Sequence, residues 1–199
     1  MMAHTIVRTD IMALDAYGKV RADSRKRISA MKENRRVSVG PYATFYFENR
    51  DTMLHQIHEM LYIEKGGEGQ IADELSAYAP LVPNGRELVA TMMIEIEEEN
   101  LRRRELARMG HIEDEISFIL EAAGERVVVK AVPEDDEERT TPEGKTSSVH
   151  FLHFPFDAAA ISLFRKSDSR VTLGIEHPNY GHMAVLPAAV KAALAADFD

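Results

Sequence analysis

The sequence predicts an α+β fold, a largely antiparallel sheet of about six to seven strands with helices packed on it. Three observations carry this reading. Apolar residues recur at helical spacing in a few well-separated segments. Short apolar or alternating runs cluster about Gly- and Pro-containing turns, so strands come as hairpin-like pairs. The order of helices and strands lacks the regular alternation that builds a parallel sheet. The chain has 199 residues, 45% of them hydrophobic. One domain over residues 1–199 of this size buries roughly 70% of its unfolded surface, so a core forms without covalent staples.

Taken in order, the first helix spans Leu14 to Glu33. Leu14, Tyr17, Val20, Ser24, Ile28 and Met31 share one arc, and the helix is expected to meet the sheet through Tyr17, Val20, Ile28 and Met31. Strands follow at Val37–Val39 and Ala43–Phe47 about Gly40–Pro41. A second helix runs from about Asp51 to Lys65, capped by Asn49 or Asp51 and stopped by Gly66–Gly67. A helical turn at Gln70–Tyr78 precedes a strand at Leu88–Glu97 and a short helix from Asn100 to Met109. Ile116–Glu121 and Arg126–Ala131 form a hairpin about Ala123–Gly124. Residues 133–146 (PEDDEERTTPEGKT) lack core-forming side chains and read as a mobile acidic loop. Strands at Val149–Phe154 and Val171–Glu176 flank a helical stretch near Asp157–Arg165, and an Ala-rich helix from Pro187 to Phe198 follows.

Composition excludes several function classes. With no cysteine, there is no disulfide, thiolate metal site, cysteine-ligated iron–sulfur cluster or cysteine nucleophile. No apolar run approaches the ~20 residues of a membrane span. The opening MMAHTIVRTDIMALD has no basic start and apolar stretch of a secretory signal, so a cytoplasmic protein is expected. The net charge is −9, which argues against nucleic-acid binding. The charge is unevenly spread, because residues 8–36 hold nine basic and four acidic side chains.

Among motifs, Glu143-Gly144-Lys145-Thr146 resembles the end of a P-loop, but Arg139 stands where the first glycine is required. On the second helix His55, His58, Glu59 and Tyr62 form one stripe. Residues three and four apart have Cβ atoms ~5–6 Å apart, so His55, His58 and Glu59 could converge on an ion, and imidazole plus carboxylate suits zinc or iron. The bland alternative is a set of half-exposed polar residues beside a core stripe. His150 and His153 sit in a strand pattern that sends them to opposite faces, so only one could add a ligand. His177 and His182 flank a Pro–Asn turn. Arg21, Arg25, Lys32 and Arg36 line one edge of the first helix. They either clamp a carboxylate or phosphate ligand or pair with acidic residues of the same chain.

Several blocks together carry a family resemblance. They include Ile11-Met12-Ala13-Leu14 with Tyr17, Arg21 and Arg25; Arg35-Arg36-Val37 with Gly40-Pro41; Phe47-Glu48-Asn49 with Thr52; and Gln56-Ile57-His58-Glu59-Met60 with Glu64. Glu74-Leu75-Ser76-Ala77-Tyr78, Ala90-Thr91-Met92-Met93-Ile94-Glu95, the segment Gly144 to Leu152 and His177-Pro178-Asn179-Tyr180 follow in order. Over nearly its whole length the chain resembles the bacterial domain-of-unknown-function family thirty-five-oh-one. That resemblance brings no activity or catalytic residues. It implies a setting beside a rubrerythrin-like protein and an iron–sulfur oxidoreductase, and hence a part in iron-linked redox or peroxide metabolism. The family pattern holds the Gln56 and Glu59 positions without requiring His55 and His58. This shifts weight toward Glu48, Glu59, Glu64, Glu95 and the arginines.

Three readings follow: a cytoplasmic binding or accessory protein whose carboxylate-rich site takes a metal, an enzyme on a small anionic substrate, or an interaction module. In the enzyme reading Arg21 and Arg25 grip the substrate, with Glu59 or His150 as acid/base. Glu59, beside an apolar helical face, needs a compensating cation, and Arg21 or Arg25 is favoured over a metal.

Overall fold

The computed structural model describes residues 4–134 and 139–199. They form six α-helices and nine strands in an α+β arrangement. The strands divide between two antiparallel sheets. The first runs in the order β1 (Arg36–Val39), β2 (Ala43–Glu48), β3 (Glu87–Ile94), β7 (Val149–Pro155), β6 (Val132–Pro133). The second runs β5 (Glu125–Lys130), β4 (Ile116–Ala122), β8 (Arg170–His177), β9 (Tyr180–Val185). The helices are α1 (Leu14–Glu33), α2 (Arg50–Glu64), α3 (Glu68–Tyr78), α4 (Glu99–Leu106), α5 (Ala158–Arg165) and α6 (Ala188–Ala195).

The period of two along β3 explains the layers. Leu88, Ala90, Met92 and Ile94 join the core shared with the second sheet, whereas Val89 joins Met53, Ile57 and Leu61 of α2 on the opposite face. The first sheet is thus covered on both sides. In the larger core Phe118 and Phe154 meet edge-to-face at 4.8 Å, and Leu163, Phe164, Val190 and Leu194 of α5 and α6 complete it.

Local chemistry sets the element ends. Asn49 accepts from the Thr52 amide at 2.9 Å, and the Thr52 hydroxyl accepts from the Asn49 amide, a reciprocal cap for α2. That helix ends at Lys65, whose φ of 56° is left-handed, one residue before the expected glycines. Ala123 and Gly124 have φ of 49° and 85°, which matches the twist of a two-residue hairpin. Glu98 caps α4 by accepting from the amides of Asn100 and Leu101. No strand was expected over residues 180–185, which form β9. Tyr180 clips the sheets together: its hydroxyl accepts from the amides of Tyr42 and Ala43 and donates to Val39 O at 2.8 Å. Gly40 passes beneath it at φ 70°, where a Cβ would lie 2.5 Å from the His182 ring.

The first helix departs from expectation. It packs principally on α2, as an outer layer, rather than on the sheet. Tyr17 and Ile28 are buried and Met31 is half-buried, but Val20 is 43% exposed. The inner seam follows 17–21–24–28–31, a 3.5-residue spacing that brings Arg21 inward in place of Val20. Arg21 tolerates the position because a carboxylate on α2 meets it.

Within the segment read as a mobile acidic loop, residues 135–138 lie outside the described residues. Residues 139–146 form a bonded turn: Thr140 bridges Thr146, and the Thr141 and Gly144 amides donate to Lys145 O and Thr141 O. Thr140 and Thr146 are buried, and the Thr146 amide donates to Leu106 O.

Candidate functional site

Two polar clusters stand out, and they differ in how their hydrogen-bonding capacity is spent. The first lies between α1 and α2. Arg21 grips Glu59 bidentately, Nε to Oε1 and Nη2 to Oε2, both at 2.8 Å. The Tyr17 hydroxyl donates to Glu59 Oε1 at 2.7 Å. His55 Nδ1 sits 3.2 Å from the Tyr17 and Ser24 hydroxyls. The Arg21 guanidinium lies over the Tyr62 ring at 4.8 Å, and Gly18 leaves room for that ring. Arg21 draws the Glu59 carboxyl down to about 2. Burial and Glu59 together push the Tyr17 phenol upward.

His58 belongs to the same helix face but is committed elsewhere. Its ring stacks on Tyr17 at 4.7 Å. Nε2 accepts from the Met12 amide at 2.9 Å, which leaves the other nitrogen to donate to the Leu54 carbonyl. Burial lowers the proton affinity of His55 and His58 alike. His55, His58 and Glu59 are therefore neighbours without forming a ligand set. Among the described residues no group of three or more His, Cys, Asp or Glu side chains is disposed to hold a metal. Both Glu59 oxygens, His58 Nε2 and His55 Nδ1 are engaged in the fold's own hydrogen bonds.

The other sequence-flagged residues scatter. Arg25 is exposed and Lys32 half-buried near His55. Arg36 lies over the Tyr46 ring at 5.8 Å, and Tyr46 donates to Glu95 at 3.3 Å. Glu48 is buried beneath the Thr52 and Thr91 hydroxyls, which donate to it at 2.7 and 3.0 Å. Glu64 accepts from Gln70 near the surface. Arg21 is bonded to Glu59 and the charges of Arg25 and Lys32 act on His55 beside it, whereas Arg36 sits at Tyr46. His177 is buried, accepts from the Asn179 amide and donates to Gly110 O, which anchors the Pro–Asn turn.

The second cluster surrounds His150, which is fully buried. Its Nε2 lies 3.0 Å from Ser147 O and 3.2 Å from the Thr146 hydroxyl. A carbonyl only accepts, so Nε2 carries the proton. Nδ1 then faces Glu113 Oε2 at 3.5 Å, and both atoms are buried without a hydrogen-bond partner. Burial lowers the proton affinity of His150, and the Glu113 charge opposes that. Glu113 also lines a cleft of about 600 Å³, with His111, Asp114, Glu134, Arg139 and Thr140. Sequence reading passed over Glu113, which sits in the run His111-Ile112-Glu113-Asp114-Glu115 and looks like a solvated acidic turn. The one available signal is Ile112, a core residue whose neighbour follows it inward. Arg35 and Asp197 were also missed. They form a buried ion pair in which Arg35 donates to Phe47 O and Glu48 O as well.

Comparison with known proteins places this geometry in a family. No curated protein matches the chain significantly. A solved structure, described as a novel protein of unknown function from Burkholderia pseudomallei, is 41% identical, covers 98% of this chain and 100% of its own, and superposes with a TM-score of 0.86. The family described as Protein of unknown function (DUF3501) matches residues 5–198. This chain belongs to that family.

Proposed function

We propose that this protein binds a small polar molecule in the cleft lined by Glu113, and that the Arg21–Glu59 network is structural support. One observation carries the reading: Glu113, which lines the cleft, and His150, buried behind it, have unpartnered atoms facing each other. Buried polar groups are almost always satisfied, and an unsatisfied one is a candidate for an external partner. By contrast, an anionic substrate at Arg21 would have to displace Glu59 from two charge-assisted hydrogen bonds.

The wider role of a cytoplasmic accessory factor in iron-linked redox or peroxide metabolism rests on the family resemblance. So does partnership with a rubrerythrin-like protein and an iron–sulfur oxidoreductase. Co-purification with those two proteins tests that setting. The cleft is tested by thermal-shift screening of the full chain with small cations, anions and neutral polyols, repeated on Glu113→Gln. A hit lost in that variant supports the cleft. Hits that persist unchanged in it, or no hit in any class, would refute it.

A further inference from the structure

We propose that His153 is a proton-operated latch on one wall of the cleft: its charged ring ties the strap of residues 132–134 to the first sheet, and loss of the ring proton releases it. The latch requires no ligand in the cleft. His153 lies on β7 between two carboxylates from different parts of the chain. Its Nδ1 is 3.1 Å from Glu87 Oε2 on β3, and its Nε2 is 3.4 Å from Glu134 Oε1, just past β6. Ionised carboxylates only accept hydrogen bonds, so both ring nitrogens donate and the ring is an imidazolium. All three side chains are largely shielded from water, where the charges act on each other more strongly than at an open surface.

The two sides of the latch are not equally anchored. Glu87 opens an eight-residue strand that pairs with β2 on one side and β7 on the other. By contrast, β6 pairs with β7 over two residues at the edge of its sheet. Pro133 has no amide to donate to that ladder, Val132 is exposed and buries little, and the Glu134 amide reaches Phe151 O at 3.2 Å. When the ring loses a proton, the shorter contact to Glu87 keeps the remaining one on Nδ1. Nε2 then turns a lone pair toward Glu134, and two acceptors 3.4 Å apart repel. One proton passes to solvent and no covalent bond changes. Pro133 and Glu134 line the cleft, so the freed strap is its wall.

The charges around the ring set the direction. The hydrogen bond to Glu87 raises the proton affinity of His153 above its ordinary 6.5, burial opposes this, and Glu134 adds to it. The latch is therefore closed below about 6.5 and opens as pH rises through the raised value. Directly across from the ring lie Val89 on β3 and Val132 on β6, both uncharged, and Phe151 shares its face of β7. His150 is on the other face of β7, and burial lowers its proton affinity, so it is neutral while His153 titrates. Along the cleft, Glu134 is joined by Glu113, Asp114, Arg139 and His111. His111 faces Asp114 at 3.9 Å, and substitution separates its titration from that of the latch.

The test is nuclear magnetic resonance on the full chain from about pH 5.5 to about pH 9, reading the His153 ring signal and the exchange of the Glu134 amide with water. The ring is expected to titrate above 6.5. Protection of the Glu134 amide, corrected for the pH dependence of free amides, should fall about two- to fivefold with the same midpoint, while amides within β3 keep theirs. Glu87→Gln should move both midpoints down together. Glu134→Gln removes the repelling charge, so protection at position 134 becomes flat with pH although the ring still titrates. His111→Asn leaves the response unchanged. A ring midpoint at or below 6.5, flat protection in the parent, or a fall that persists in Glu134→Gln overturns the latch. So does a fall abolished in His111→Asn, or a ring midpoint that moves without the strap in Glu87→Gln. All are read on the ligand-free chain, so an empty ligand screen and a failed latch are separate results.

Discussion

Replacing Glu59 with Gln measures how much the closed network between α1 and α2 contributes. A carboxyl held at about 2 instead of 4.5 corresponds to about 3 kcal/mol if unscreened. The pair is not fully desolvated, since Glu59 is 15% and Arg21 27% exposed. Screening therefore leaves about 1–2 kcal/mol. In a chain of this length that is a fall in Tm of about 3–6 °C. The pH dependence gives a second signature. The folded carboxyl is depressed, so its stabilisation is present above the unfolded value near 4.5 and is lost as pH falls toward 2. Urea unfolding of parent and variant across this range should show the difference at neutral pH and convergence in acid. A cycle with Arg21→Met should recover coupling of about 1 kcal/mol or more. A loss below about 0.5 kcal/mol, or a gap that persists unchanged at pH 2.5, would refute the assignment of Glu59 as a supporting ion-pair residue.

Three further outcomes are expected. Arg35→Met should cost about 3–5 kcal/mol by stranding Asp197 in the core, and Arg35→Met/Asp197→Leu should recover part of it in denaturant unfolding. Tyr180→Phe removes the acceptor of two backbone amides and should cost about 2–4 kcal/mol, with faster amide exchange at Tyr42 and Ala43. His55 and His58 bind protons more weakly folded than unfolded, so stability should fall as pH drops below about 6.5. His58→Phe, which preserves the stacking on Tyr17, should reduce that slope in an acid titration.

Local periodicity made most elements legible, and long-range pairing made the rest illegible. Leu14–Glu33 was readable as a helix because twenty residues carry one apolar arc, and that arc holds at Tyr17, Ile28 and Met31 but fails at Val20. Whether Val20 or Arg21 faces inward depends on Glu59, 38 residues away. That Glu59 required a cation was readable from its place beside Ile57 and Met60, and Arg21 was one of two candidates. The division into two sheets was not readable. The β3 partner β7 lies some sixty residues downstream, and a strand buried on both faces has no polar side to give its register away. Thr140 and Thr146 were hidden for a related reason: each has the composition of a loop residue, and burial came from the Thr140–Thr146 bridge and the Leu106 carbonyl.

The two clusters show why residue type alone misleads about function. Glu59 and Glu113 are both carboxylates beside a histidine, and both are largely removed from water. Glu59 accepts three hydrogen bonds from two neighbours that no other group could replace without loss. Glu113 accepts none from the described residues and faces an imidazole that has nothing to donate in its neutral form. A ligand arriving at Glu59 must break bonds the fold has already made; one arriving at Glu113 adds bonds the fold has left unmade. The cost of an unmet buried acceptor is about 1–3 kcal/mol, and that sum becomes available to whatever donor satisfies it. The sequence stripe His55/His58/Glu59 drew attention by chemistry, and it is the chain's own saturation of those groups that moves the functional candidate to Glu113 and His150.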